Sequence, residues 1–390
     1  MHWRKEETAK DRQHEGDPGE MPAWQAISYG SNCVWLSHRE WLATAGLLVV
    51  LMLLVPVLWQ RLEKLEPDAD YRLPSALSDD YCLFARYCRW ACRRDKILVL
   101  GDSAIRGYYV PKDGTLSHHL NAMVGGDGFA NMGVDGMHPA ALFGLLKYYG
   151  KDIAHKEVIL HLNPLWMSSP KSDLRTSKES RFHHPGLVPQ FVPRIACYKD
   201  SLSSRISTVV ERSAGFFAWT SHIKQAYFDH MDIPAWTLEH PYNNPLQAVT
   251  LVLPQPQEPN RSEQVSWLQK GLSQESLEWV DADTSLQWEF FRRTVAVLKA
   301  RHNDVFVLVG PFNEHIMEAT SMAAYSRLKG RIESYLNQDG VAYYIPPPLP
   351  SGLYRDASHL LPDGYAMLAR ELLTDESFRA FLHRSAASAE

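Results

Sequence analysis

The sequence predicts an α/β fold, a doubly wound parallel sheet behind one membrane-spanning helix, with a mostly helical insertion between its two halves. Three observations predict it. Apolar runs at 97–100, 157–162 and 305–310 alternate with stretches of helical period, the rhythm of strands joined by crossover helices. The stretch from Trp41 to Trp59, WLATAGLLVVLMLLVPVLW, carries no charge. Between 168 and 284 the strand–helix rhythm stops, and Pro185, Pro189, Pro193, Pro234, Pro241 and Pro245 break the chain.

The chain has 390 residues, enough for a large core, with 45% hydrophobic and 22% charged residues, as in globular proteins. A formal net charge of -5 and the lack of a long basic stretch argue against a nucleic-acid partner. The 12 Trp and 17 Tyr are read as core filling before sugar-binding surface. Of the cysteines Cys33, Cys82, Cys88, Cys92 and Cys197, three crowd together, with no pairing or His spacing that completes a metal site. A disulfide within the cluster, if the domain lies outside the cytoplasm, and buried free thiols are both open readings.

In order, residues 1–40 are polar, mixed in charge and broken by Gly16, Asp17, Pro18 and Gly19, and are expected to be a disordered tail. Residues 41–59 follow as the transmembrane helix: at 1.5 Å per residue they cross a hydrocarbon core of about 30 Å. Trp41 and Trp59 stand at its ends as interfacial aromatics do. No small-residue cleavage site follows, which argues against a signal peptide. Arg4, Lys5, Lys10, Arg12 and Arg39 precede the span, and Arg61, Lys64 and Arg72 follow it, so the charge rule is nearly balanced. The expected topology puts the N-terminus inside and the domain outside the cytoplasm, in the periplasm or extracellular space, leaning partly on the cysteines.

Residues 60–94 read as a linker that ends in a Cys/Arg-rich stretch, and 95–390 as the domain, interrupted by the insertion 168–284. The domain is expected to run through strand 96–100, helix 116–123, a short strand and glycine-rich loop over 129–138, helix 139–149 and strand 157–162. Within the insertion a helix is expected around 207–230. The rhythm resumes with helix 285–301, strand 305–310, helix 319–337, strand 341–345 and a last helix at 364–372.

Val99-Leu100-Gly101-Asp102-Ser103 puts a serine just past the carboxyl end of the first strand, where open α/β sheets place their chemistry, and Asp102 reads as part of the turn. Gly136 lies in the loop after the second strand, Asn163 ends the third, and Asp356-Ala357-Ser358-His359 stands near the C-terminus. The residue types fit nucleophilic catalysis. Ser103 needs a base, which His359 supplies, and Asp356 three residues earlier can reach the other imidazole nitrogen. An oxyanion would find donors in the N–H of Ser103, the N–H of Gly136 and the Asn163 amide. Gly133 stays open as a substitute for Gly136. Arg106 and Trp166 are the candidate substrate-binding residues, Arg106 reading either as a ligand for an anionic substrate or as a solvated charge at a helix start. His161 reads as a strand residue, and His183, His184 and His315 are open as metal or substrate groups, though they lack the spacing of a metal site.

Gly101-Asp102-Ser103-x-x-x-Gly107, Asn131-x-x-x-x-Gly136, Asn163 and Asp356-x-x-His359 resemble, in order, the four blocks of the SGNH (GDSL-type) hydrolases. The resemblance covers 96–165 and 285–375 and maps the family's serine, glycine, asparagine and histidine to Ser103, Gly136, Asn163 and His359. The third block departs from it, reading His161-Leu162-Asn163-Pro164 where the family has Gly-x-Asn-Asp. The Pro164-Leu165-Trp166 turn is similar instead to that of membrane-anchored members such as the D-alanyl transfer protein; these and the alginate acetylation proteins move acyl groups onto envelope polymers beside a multi-pass membrane acyltransferase.

The resemblance implies a membrane-anchored serine esterase or O-acyltransferase with no cofactor, acting on an O-acylated, expectedly O-acetylated, envelope or secreted polysaccharide. A multi-pass acyltransferase would be its partner. Two other readings are a non-catalytic scaffold of the same fold, in which Ser103 and His359 would be separated or blocked, and a lipase or thioesterase, which would need a long apolar groove.

Overall fold

The computed structural model describes residues 37–256 and 264–388, and the chain divides into two compact units, up to Leu51 and from Met52 on. The expected disordered tail, apart from Ser37 onward, lies outside the described residues, as do Cys33, Arg4, Lys5, Lys10 and Arg12. The first unit is described only in the N-terminal part of α1 (His38–Leu62). This helix is long and apolar enough to cross a membrane, and it extends past both expected ends of the span.

The second unit carries a five-stranded parallel sheet of β1 (Ile97–Gly101), β2 (Phe129–Gly133), β3 (Glu157–Leu162), β4 (Asp304–Val309) and β5 (Ala342–Tyr344). The strand order is β2-β1-β3-β4-β5. Leu98 pairs with Ala130 on one side and Val158 on the other, so β1 is central to both halves. Leu98, Val99 and Leu100 are buried, as are Val158, Ile159 and Leu160. Continuous apolar runs form here because crossover helices cover both faces of a parallel sheet. The chain leaves β1 for β2 and then returns past it to β3. Right-handed crossovers therefore put α4 (Leu116–Val124) and α5 (Pro139–Tyr148) on opposite faces. α4 packs with α12 (Pro362–Thr374), and α5 with α10 (Leu286–Ala300). α11 (Ala319–Gln338) joins β4 to β5. The reversal around β1 opens a crevice at its carboxyl end.

Two expectations are corrected and one open reading is decided. Residues 60–94 are not a spacer. Leu73 and Leu77 are buried, and α2 (Tyr81–Cys92) sinks Leu83, Phe84, Tyr87, Cys88 and Ala91 into the main core. Asp80 caps α2 by accepting the N–H of Leu83 at 2.9 Å. Of the two readings of the cysteines, free thiols holds for Cys82, Cys88, Cys92 and Cys197, so no disulfide among the described residues supports an extracytoplasmic domain. The last helix is not the one expected at 364–372. α13 (Glu376–Ser388) follows α12 and lays Phe378 and Phe381 on Phe306, with ring centroids 5.0 and 5.5 Å away.

The insertion holds α6 (Leu202–Glu211), α7 (Gly215–Tyr227), α8 (Ile233–Glu239) and α9 (Pro245–Ala248), so the helix expected at 207–230 is two helices. Its tryptophans pack. Trp236 and Trp267 are buried, and Trp219 meets Trp59 edge-on at 5.8 Å. The insertion is anchored at several points. Asp173 accepts the N–H groups of Leu286 and Gln287 at the start of α10, at 2.9 and 3.1 Å. The Trp267 indole donates to the Ser351 carbonyl at 3.1 Å.

Candidate active site

β1 ends on Gly101 because nothing larger fits. A Cβ there would stand 2.4 Å from Ile105 Cγ1 and 2.9 Å from His161 Cβ. The chain then turns into α3 (Ser103–Arg106), whose cap Asp102 accepts the Ala104 N–H at 3.0 Å. Ser103 is thus the first helical residue. Its N–H is one of the donors a helix start leaves without an internal partner. Gly107, at φ +76°, ends the turn, where a Cβ would meet Thr115 and Val110 at 2.7 and 2.8 Å.

His359 Nε2 lies 2.9 Å from Ser103 Oγ, and its Nδ1 lies 2.9 and 3.0 Å from the two oxygens of Asp356. The turn Asp356–His359 makes this short reach possible. Asp356 Oδ1 also accepts the N–H groups of Ser358 and His359, at 3.0 and 2.9 Å, which folds the carboxylate back on its own backbone. β5 is the far edge of the sheet, so the loop must be carried back to β1. Asn313, beyond β4, bonds the backbone of Asp356 and Ala357, and the Tyr365 hydroxyl donates to the Ala104 carbonyl at 2.5 Å. Burial would raise the Asp356 carboxyl, but His359 and the two N–H groups hold it below its ordinary range. Burial would lower the His359 imidazole, and Asp356 outweighs it, so its pKa is raised.

The expected oxyanion donors lie at the ends of the three adjacent strands. Gly136 sits at φ +69°, and its N–H has no protein acceptor among the described residues. Gly133 is not the alternative, since its N–H is bonded to Asn131 Oδ1 at 3.1 Å. Its lack of a side chain serves packing instead, because a Cβ would stand 2.2 Å from the Arg106 nitrogen. Asn163 is buried, and its amide donates to Asp102 Oδ2 at 2.7 Å. An amide has two hydrogens, so the second is left for a substrate oxygen.

Asp102, read in the sequence as a turn residue, is also a hub. Its Oδ2 accepts from Asn163 and from the Trp166 indole at 2.8 Å. Burial would raise its carboxyl, but the surrounding His161, Asn163 and His359 bring it down to about 2. Arg106 is a correction. It is not a solvent-facing anion ligand but a buried side chain, donating from Nε to the Leu73 carbonyl at 2.7 Å and reaching Asp135 at 3.5 Å. Trp166, the other candidate substrate residue, has its one donor taken by Asp102; only the face of its half-buried ring is left for a substrate. His161 is a strand residue as expected, with Nε2 donating to the Gly310 carbonyl at 3.1 Å, and His315 likewise bonds the Leu349 carbonyl at 3.0 Å.

Sequence reading missed Tyr108 and Tyr109, whose rings stand 6.4 and 5.0 Å from His359. Their position directly after Gly107 was the available signal. It also missed Asp135, and it read His183-His184 as metal or substrate groups, whereas they meet the Gly136 loop. No protein-family model matches the chain, and no curated protein matches it.

Asp102→Asn tests the hub. Either orientation of the new amide sets its NH2 against a donor, the Ala104 N–H or the Asn163–Trp166 pair. We expect a loss of about 1–3 kcal/mol in stability and a roughly 10- to 100-fold fall in kcat as Asn163 loses its anchor. Denaturation curves and steady-state kinetics check this, and an unchanged kcat would remove Asp102 from the site.

Proposed function

We propose that the protein is an SGNH-type serine ester hydrolase or O-acyltransferase that works through an acyl-serine intermediate beside a membrane. The observation that carries this is the Ser103–His359–Asp356 relay, with contacts of 2.9 Å at each step. A scaffold would not need that spacing.

The steps follow from the positions. His359 Nε2 takes the Ser103 proton as Oγ attacks the ester carbonyl. The oxyanion forms facing the N–H groups of Ser103 and Gly136 and the Asn163 amide. Collapse breaks the bond to the alcohol, which leaves with the proton held on His359. The acceptor then attacks acyl-Ser103, giving its proton to His359, and Ser103 regains it. Water as acceptor makes an esterase, and a sugar hydroxyl makes a transferase. The groups around His359, Tyr108 and Tyr109, are aromatic with polar tips and suit an O-acylated, expectedly O-acetylated, carbohydrate better than a lipid chain. The apolar α1 supports placement at a membrane, where a multi-pass acyltransferase would be the natural donor of acyl groups.

The test uses the full chain in detergent micelles. A fluorophosphonate should label Ser103, and p-nitrophenyl acetate should be turned over. With an O-acetylated oligosaccharide donor and an unacetylated acceptor, transfer exceeding hydrolysis favours the transferase and hydrolysis alone the esterase. Absence of both labelling and turnover overturns the proposal.

The pH dependence has a definite sign. His359 works as a base only when neutral, and its pKa is raised. kcat/KM should therefore rise with pH along a limb whose midpoint lies above about 6.5. Asp356→Asn removes the carboxylate that raises it, so the limb should move to lower pH while the plateau falls. A limb unmoved by that change would take Asp356 out of the relay.

A further inference from the structure

Two adjacent histidines of the insertion meet the loop after β2. His184 has φ +54°, and its ring stands 6.2 Å from that of His183 at a tilt of 46°. The two make different contacts with the Asp135–Gly136 segment. The exposed His183 ring lies on Gly136, where a Cβ would come within 2.5 Å of its Cγ. The His183 backbone is held from below, its carbonyl accepting from the buried His138 at 3.1 Å.

His184 is only 3% exposed, and its ring is fully engaged. Nε2 lies 2.6 Å from the Asp135 carbonyl oxygen, and Nδ1 lies 2.8 Å from Asp79 Oδ1 and 3.0 Å from the Tyr81 hydroxyl. A carbonyl only accepts, so Nε2 donates to it. The contact with His184 holds the Asp79 carboxyl below its ordinary range.

The Asp135 carbonyl and the Gly136 N–H belong to one peptide unit. A trans peptide is planar, with its C=O and N–H pointing in opposite directions. Fixing the oxygen on His184 therefore aims the N–H of Gly136 away from it, and no protein group accepts that N–H among the described residues. The Asp135 side chain is anchored separately, with Ser78 Oγ at 3.4 Å and Arg106 Nη1 at 3.5 Å. A bond to a peptide oxygen also polarises the N–H at the other end, which makes it a better donor.

We propose that the Asp79–His184 pair sets the oxyanion hole, with His184 as a positioning residue that acts through the Asp135–Gly136 peptide. The inference rests on the serine-ester reading and gives the insertion a definite task. One residue before β1 and one in the insertion hold the donor supplied after β2.

The experiment compares His184→Gln, His184→Asn and His184→Ala in the full chain in micelles, with p-nitrophenyl acetate as substrate and phenylboronic acid as a probe that forms a tetrahedral adduct at Ser103. The Gln amide reaches about as far as Nε2 and should keep kcat within about threefold. The Asn amide reaches only the Nδ1 position and loses the Asp135 carbonyl. It should lower kcat by about 10- to 100-fold, less than deleting an oxyanion donor outright, with KM nearly unchanged and boronate affinity falling in parallel. Should His184→Ala fail to fold, the Asn and Gln pair carries the test. Equal kcat in the Asn and Gln variants, or a loss confined to KM, overturns the inference. Wild-type protein without Ser103-dependent turnover overturns the serine reading itself. Ser103-dependent turnover that ignores His184 overturns only the positioning role.

Discussion

Ser103→Ala is expected to lower kcat for ester hydrolysis by about 10⁴- to 10⁶-fold, leaving only the rate that substrate binding and the oxyanion donors sustain. The fold should be indifferent to the change. Asp102 caps α3 through the Ala104 N–H, and the Ser103 carbonyl still accepts the N–H of Gly107, so alanine keeps every backbone contact of the turn. What it removes is the side-chain hydroxyl that meets His359 Nε2 at 2.9 Å. His359→Ala should cost nearly as much, and the double variant little more than either, because a nucleophile without its base and a base without its nucleophile fail at the same step. Additive losses would mean that the two residues do not act as a unit. p-Nitrophenol release with unchanged melting temperature is the measurement, and a Ser103→Ala enzyme within tenfold of wild type would end the serine mechanism.

What the sequence made legible is what local rules decide. Ser103, Gly136 and Asn163 follow β1, β2 and β3, and the strand order puts those three ends side by side. The Asp356–His359 turn likewise closes on itself, with its acid bonded to the backbone of its own turn. Long-range partners were not legible. Asp102 looked like turn chemistry because its cap contact is two residues away, whereas its bonds to Asn163 and Trp166 span 61 and 64 positions. Arg106 looked like a solvated charge because nothing local shows that the Leu73 carbonyl and Asp135 bury it. The stretch 60–94 looked like a spacer for the same reason. α2 alternates Arg and Cys with its apolar residues, and one of those arginines, Arg86, enters the core only because Glu63 meets it there.

Glu63→Ala carries the second largest expected effect. Glu63 is 0% exposed and sits just past the end of α1. Its carboxylate pairs with Arg86, accepts from the Tyr227 hydroxyl at 2.5 Å and the Trp59 indole at 3.2 Å, and meets His222 Nε2 at 2.9 Å. His222 Nδ1 reaches Asp80 Oδ2 at 2.6 Å. The cluster thus ties the insertion, through His222 and Tyr227 on α7, to α2 and the start of the second unit. Removing the carboxylate leaves Arg86, still bonded to the backbone carbonyl of residue 63, and His222, still bonded to Asp80, buried without the acid they share. We expect a loss of about 3–5 kcal/mol, the usual result of breaking one side of a buried ion pair, and a fall of roughly 5–15 °C in melting temperature. Burial raises the Glu63 pKa, but His222, Tyr227 and Arg86 outweigh it and bring it to about 2. Burial lowers the His222 pKa, and Asp80 and Glu63 raise it to about 9. A depressed acid stabilises above its unfolded pKa and loses that contribution as pH falls toward 2. A raised histidine stabilises below 6.5 and loses its contribution as pH rises through 9. The cluster is therefore at full strength between about pH 4.5 and 6.5. The gap between wild type and Glu63→Ala should be widest at pH 6 and narrow toward pH 2.5 and pH 10. Thermal melts across that range decide it, and a gap under about 2 °C at pH 6 would show that the carboxylate is dispensable to the fold.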